Sequence, residues 1–276
     1  MAVTTGRKVT GYSDISEQVL AEQSIIQAVS RKDIIGTPGT TTVSVYVNKA
    51  ATIADYVPGT GVALSADDSA YVVVSNLKEK GINEILDGFT VETAPMDMQI
   101  SRIAAAMGAA AEQVDTDGFA KMVADGTKLV LAAGAKPTVS TIYTDILNLK
   151  AALDTAKAPQ DNRYLILTPE MQNLLLQKAS GVVLDTANGD AIVTNGFTGK
   201  VLGFNVFVTT LMPAGTNIIA LQDRAFVFGM AWKKDIALVS LDGSSQFYGD
   251  SAIKGRWAYV TGAVRPTLIQ INQGAA

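Results

Sequence analysis

The apolar positions of this chain keep two rhythms, and the change between them falls on one stretch. Between Pro95 and Asp125, the residues Ile100, Ile103, Met107, Ala110, Ala111 and Val114 recur at steps of three and four, one narrow stripe of a 3.6-residue helix. Pro95 suits the first turn, Asp97 suits the positive end of the helix dipole, and Gly126 follows as a stop. At ~1.5 Å per residue the helix would be about 45 Å long, more than a compact domain encloses, so the pattern predicts a strut. Asp115-Thr116-Asp117-Gly118 is its weak point, because a glycine and two short acids in an interior turn favour a bend, with Gly118 as the hinge. The other reading of the same stretch is a core helix broken in two.

Before the strut the period drops to two. A helix is expected from Ser13 to Ser30, with Ser13 and Asp14 as caps and Gly36-Thr37-Pro38-Gly39 ending it. It reads either as an arm that packs on a neighbour or as an ordinary peripheral helix. From Thr41 to Asn48 the chain alternates, with Val43, Val45 and Val47 on one face and Ser44 and Tyr46 on the other. Ser69 to Asn76 returns as a second strand carrying Tyr71, Val72, Val73 and Val74, and Val57 to Val62 is rich in turn residues. A two-stranded ribbon is marginal alone in water, so it needs a surface to lie on. A neighbouring copy is the expected surface, with Val43, Val45, Val47, Tyr71 and Val73 as the contact residues. Lys78 to Gly88 leads into the strut.

After the strut, Thr138 to Lys157 predicts a helix with Ile142, Ile146, Leu149 and Leu153 on one stripe. Arg163 to Leu167 is a short buried-type strand, and Thr168-Pro169-Glu170 opens a helix carrying Met171, Leu174 and Leu175 that stops at Gly181. From Gly189 onward strands dominate: Val201 to Thr209, Asn217 to Leu221, Ala225 to Trp232, Ile236 to Val239, Ala252 to Val264 and Leu268 to Ile271.

Composition sharpens this outline mainly by exclusion. Of 276 residues 48% are hydrophobic and only 17% charged, so the chain can bury a large core and disorder is not expected. A net charge of −4 without a basic run argues against a dedicated nucleic-acid grip. Histidine and cysteine are both absent, which removes thiolate and imidazole metal sites, thiol nucleophiles and the dyads and triads built on histidine. Gly59-Thr60-Gly61-Val62 lacks the third glycine and following helix of a dinucleotide loop, and Gly196-Phe197-Thr198-Gly199-Lys200 has the wrong spacing for a phosphate loop. Asp115-Thr116-Asp117-Gly118 is only half a calcium loop, and Asp67-Asp68 reads as solvated surface. No cofactor, metal or enzymatic activity is expected. Neither a signal-peptide core nor a membrane span is evident, so a soluble protein made in a cytoplasm is expected.

The stretch Gly199-Lys200-Val201-Leu202-Gly203-Phe204-Asn205-Val206-Phe207-Val208-Thr209-Thr210-Leu211-Met212-Pro213 resembles the major capsid proteins of tailed bacteriophages with the Hong Kong 97 fold. Phe226 to Ile236, with its Lys233-Lys234-Asp235 turn, and Tyr259 to Pro266, ending in Arg265-Pro266, look like that family's closing strands. The resemblance implies an α+β subunit with an N-terminal arm (1–36), an extended β-hairpin or E-loop (37–80), and a peripheral domain (81–137 and 241–276) holding a spine helix (95–125). An axial domain would span 138–240. It implies self-assembly as pentamers and hexamers into an icosahedral shell, formed in the host cytoplasm and becoming the virion capsid. The shell would package double-stranded DNA without sequence-specific contact or any membrane, with a portal and a separate scaffolding protein as possible partners.

Some members of that family cross-link through an E-loop lysine and a C-terminal asparagine beside a glutamate. Lys49 and Asn272 fit the first two parts, but Val260 to Ala276 contains no acid, so a non-covalent shell is expected. The rivals are a bacterial nanocompartment shell of the same fold and a soluble β-rich surface or adhesion module.

Overall fold

A computed structural model describes residues 24–31, 43–48, 53, 55–56, 58, 70–86, 96–129, 136–179, 199–243, 246 and 249–274, with the side chains of 96–101 and 178–179 outside that description. In chain order its elements begin with α1 (Ile25–Val29), β1 (Val43–Val47), β2 (Ala70–Val74), β3 (Leu77–Leu86), α2 (Met96–Asp125) and β4 (Thr127–Leu129). Next come α3 (Ile142–Thr155), β5 (Arg163–Leu167), α4 (Pro169–Ala179), β6 (Lys200–Val201), β7 (Phe204–Val208) and β8 (Thr216–Gln222). The chain closes with β9 (Phe226–Ser240), β10 (Ser251–Ala263), a 3₁₀ turn (Pro266–Leu268) and β11 (Ile269–Gln273). The expected caps Ser13 and Asp14, Pro95, Lys49 and Gly181 lie outside the described residues.

Helix α2 runs 30 residues through Asp115 to Gly118 without a break. The predicted stripe is buried at Ile103, Met107, Ala110, Ala111 and Val114. The residues read as a weak point do something else. Asp115 is buried and accepts hydrogen bonds from the Ser24 hydroxyl at 2.7 Å and from the amides of Ile25 at 2.9 Å and Ile26 at 3.1 Å. It thereby satisfies the orphan donors at the start of α1, where Ser24 is itself the N-cap. Gly118 lets the two helices touch, since a Cβ placed there would lie 2.7 Å from Ile26 Cγ1. The α1 turn is therefore packed into its own subunit, with Ile26 and Val29 fully buried.

The spine lies across a three-stranded antiparallel sheet ordered β3-β10-β9, where Ile103, Ala106 and Met107 meet Ile236 and Ile253. Two readings change here. The Lys78 to Gly88 segment is not a connector but contains a ten-residue strand, β3, pairing with β10 from Leu77–Val260 to Leu86–Ser251. Lys78, Glu79, Lys80 and Glu84 hid it, because charges guard an edge strand and blur its apolar alternation. Second, Lys233-Lys234-Asp235 is no turn: β9 continues through it for 15 residues, and the extra residues appear as register shifts against β10 between Lys254 and Trp257.

A six-stranded mixed sheet, ordered β4-β11-β8-β5-β7-β6, forms the second body. Helices α3 and α4 pack on it, and Ile142, Ile146, Leu149 and Leu153 of α3 are all buried as their spacing predicts. Thr168 caps α4, its hydroxyl accepting from the Met171 amide at 3.4 Å. The predicted strand Val201 to Thr209 is a hairpin of β6 and β7, turned at Leu202 (φ 52°) and Gly203 (φ 88°), two successive left-handed residues of the kind a tight hairpin requires. Strand β11 inserts between β4 and β8, so the last strand belongs to this sheet.

Candidate assembly surface

Strands β1 and β2 pair antiparallel in register Val45–Val72 and Tyr46–Tyr71, forming a two-stranded sheet. Its two faces differ in kind. Val43 and Val45, with Val74, are buried against Val227, Val260 and Val264 of the same chain, and Val47 and Val72 pack at the margin. Val43 at 1% and Val45 at 0% exposure are covered before any neighbour arrives, which corrects the expectation that these valines meet another copy. The ribbon needs a surface to lie on, as predicted, but the β9–β10 end of its own subunit supplies it.

The outward face carries the other predicted residues. Tyr71 is 61% and Val73 58% exposed, and Tyr46, which sequence reading passed over, is 37% exposed. Tyr46 and Tyr71 meet across the strands in a tilted arrangement, with ring centroids 5.2 Å apart and planes at 54°. Ile53 and Tyr56, between the two strands in sequence, are also largely exposed. Large apolar and amphipathic side chains concentrated on one exposed face are characteristic of a surface that another protein covers, tyrosine being favoured because its ring buries area at low entropy cost. The alternation at 43–47 contained the signal for Tyr46. The purer valine face goes to the subunit's own core, where nothing polar is tolerated, and the mixed face turns outward.

The foot of the hairpin is fixed to the spine electrostatically. Asp117 accepts from Lys78 at 2.7 Å and from the Tyr259 hydroxyl, tying β3, α2 and β10 together. Burial alone would raise the Asp117 carboxyl, but hydrogen bonds from Lys78, Tyr259 and Gln113 hold it below the usual carboxylate range. Two residues earlier the balance reverses. Burial pushes Asp115 above that range despite the bonds from Ser24, Ile25 and Ile26. Burial and the facing Asp117 raise Tyr259, which stays a neutral donor.

Of the remaining predicted positions, Gly118 is a packing contact beneath α1, and Asn272 is fully buried, accepting from Asn217 Nδ2 at 3.4 Å. Among the described residues no group of three or more acids is placed to hold a metal ion, and no helix is long and apolar enough to cross a membrane.

A long spine helix over a three-stranded sheet, a second body of six strands and two helices, and a two-stranded hairpin with an aromatic outer face define the Hong Kong 97 class of capsid-shell proteins. The family described as Phage capsid protein matches residues 88–272, about two thirds of the chain, and the chain belongs to it. No curated protein matches in sequence. Among solved structures the fold is similar to one described as "Mycobacterium phage Che8", with 20% identity, a TM-score of 0.64 and 84% of each chain covered. The "Capsid structure of the Cyanophage P-SCSP1u" gives 13% identity and a TM-score of 0.66, covering 86% of this chain and 84% of that one. A virus-like particle from Pyrococcus furiosus gives 13% identity and a TM-score of 0.57, covering 96% and 99%. The chain is accordingly a capsid shell protein.

Proposed function

We propose that this chain is the major capsid protein of a tailed phage, assembling as pentamers and hexamers into a closed icosahedral shell around double-stranded DNA. The observation that carries the reading is the outer hairpin face: Tyr46, Tyr71 and Val73 stay exposed on a subunit whose opposite hairpin face is already buried. A net charge of −4 fits a wall that encloses DNA without gripping its sequence. In this reading residues 1–36 are the N-terminal arm, anchored to its own subunit at α1, 37–80 form the E-loop, α2 is the spine of the peripheral domain, and the six-stranded sheet is the axial domain; this moves β9, within 138–240, to the peripheral sheet and β4 and β11, within 81–137 and 241–276, to the axial one. A portal and a separate scaffolding protein complete assembly, in the host cytoplasm, of what becomes the virion.

A second reading, a protein nanocompartment, is favoured by the likeness to the Pyrococcus furiosus particle over nearly the full length of both chains. Electron microscopy of particles purified from infected or expressing cells, followed by nuclease treatment and DNA extraction, separates the two. Polyhedral particles with nuclease-protected duplex DNA are the expected result. Particles that hold protein cargo and no DNA favour the nanocompartment, and absence of any closed particle overturns both.

A further inference from the structure

Outside the hairpin region the described residues leave three large apolar side chains exposed, and two of them, Val139 and Leu147, belong to α3 and the turn that starts it. The Ile142 amide already donates to the Thr138 carbonyl at 2.9 Å, so helical bonding begins with that turn. Val139, Tyr143, Leu147 and Ala151 then follow at steps of four along one flank, turned from the buried row that starts at Ile142. Thr144 and Asn148 share the outward side. No exposed residue from Thr138 to Ala151 is charged, because Asp145 is buried and Lys150 half-buried. A helix side that only water covers normally carries charges. Loss of charge with large apolar groups retained marks the centre of a contact between proteins. Ile85, the third exposed side chain, shows the contrast: it shares the open face of β3 and β10 with the Arg256–Glu79 ion pair and Lys254.

We propose that the outward side of α3 is covered by a second copy of this chain, the next one in a ring, giving each six-stranded body a contact of its own beside that of the hairpin. The proposal rests on the shell reading and adds a second surface to it. Rings closed by fivefold or sixfold rotation bring unlike surfaces of neighbouring copies together, so the outer hairpin face does not meet itself and each copy has to present a further surface. Charge selects the occupant. Copies that each carry −4 repel one another, and they abut at least cost where the facing surface holds no charge. A nucleic-acid strand would instead be met by lysine and arginine, neither of which is exposed from 138 to 151.

The test places a positive charge on this side of the full chain with Thr144→Lys and, separately, Asn148→Lys. Lysine favours a helix over threonine or asparagine, and it brings the net charge of −4 closer to zero. Neither folding nor long-range repulsion therefore opposes the change; only a neighbour that strips water from the ammonium does. The expected result is a melting temperature at or above the wild type's, with particle yield in sedimentation lowered roughly tenfold or more by either lysine. A photoreactive benzoylphenylalanine in place of Val139 gives a second readout that does not depend on those variants. After irradiation of assembled particles, a denaturing gel should show dimers made of this chain alone. Wild-type particle yield from both lysine variants overturns the proposal and leaves the shell reading standing. Irradiated particles that give only monomer, or adducts with DNA or another protein, do the same. A wild-type chain that forms no closed particle overturns the shell reading and this contact with it.

Discussion

Two side chains one strand apart in the same ribbon should respond to the same substitution in opposite ways. Val45 is fully buried between β1 and the β9–β10 end, so Val45→Asp places a carboxylate in an apolar contact and should cost at least about 3 kcal/mol, giving insoluble or unfolded subunit. Tyr71 is 61% exposed and meets Tyr46 across the strands, so Tyr71→Asp should leave the subunit folded to within about 1 kcal/mol while blocking assembly. Thermal melts and sedimentation of both variants check the pair; a folded, assembly-deficient Val45→Asp would show that the valine face is the shared one after all. Gly118 is a third test at this scale. Alanine would gain about 1 kcal/mol of helix propensity, but its Cβ falls within 2.9 Å of two Ile26 carbons and overpacking of that kind costs ~1–3 kcal/mol. A lowered melting temperature, partly restored by adding Ile26→Ala, is expected. Shells of altered diameter from Gly118→Ala would support the hinge proposed for this position, and an unchanged diameter would leave Gly118 as a packing contact alone.

Among the elements, the junction of α2, β3 and β10 at Asp117 should make the subunit acid-sensitive in a particular window. Its folded-state pKa is depressed, so the stability it contributes is present above the unfolded value of about 3.9 and is lost as pH falls through the lower folded value. Wild-type stability should therefore drop below about pH 4. Asp117→Asn should melt lower at neutral pH and show a shallower acid limb; an acid limb as steep as the wild type's would remove Asp117 from this role. The elements most legible in the sequence were those whose packing follows one local period: α2, α3, β5 and the β1–β2 ribbon. Three were missed for definable reasons. β3 is an edge strand whose charges mask alternation, β9 was cut in two because a bulge looks like a turn, and β6–β7 was fused because only Gly203 marked its reversal. The outward face of the ribbon is half legible: the pattern selects Tyr71 and Val73 but not Tyr46, and it points the valines at a neighbour because a sequence does not say whose core a strand covers.

At the scale of the whole molecule, the subunit reads as complete in its core and incomplete at its surface. Asn272 lies fully buried within β11, and Val260 to Ala276 contains no acid for the proton transfer an isopeptide bond needs. Boiled particles on a denaturing gel should run as a single 28.9 kDa band, and a ladder of multiples would overturn that. The central claim concerns the outer hairpin face, and a cryo-electron microscopy reconstruction of the assembled particle tests it most directly. The expected map shows Tyr46, Tyr71 and Val73 covered by an adjacent subunit at every quasi-equivalent position. A closed shell in which that face looks onto solvent, inside or out, would contradict it.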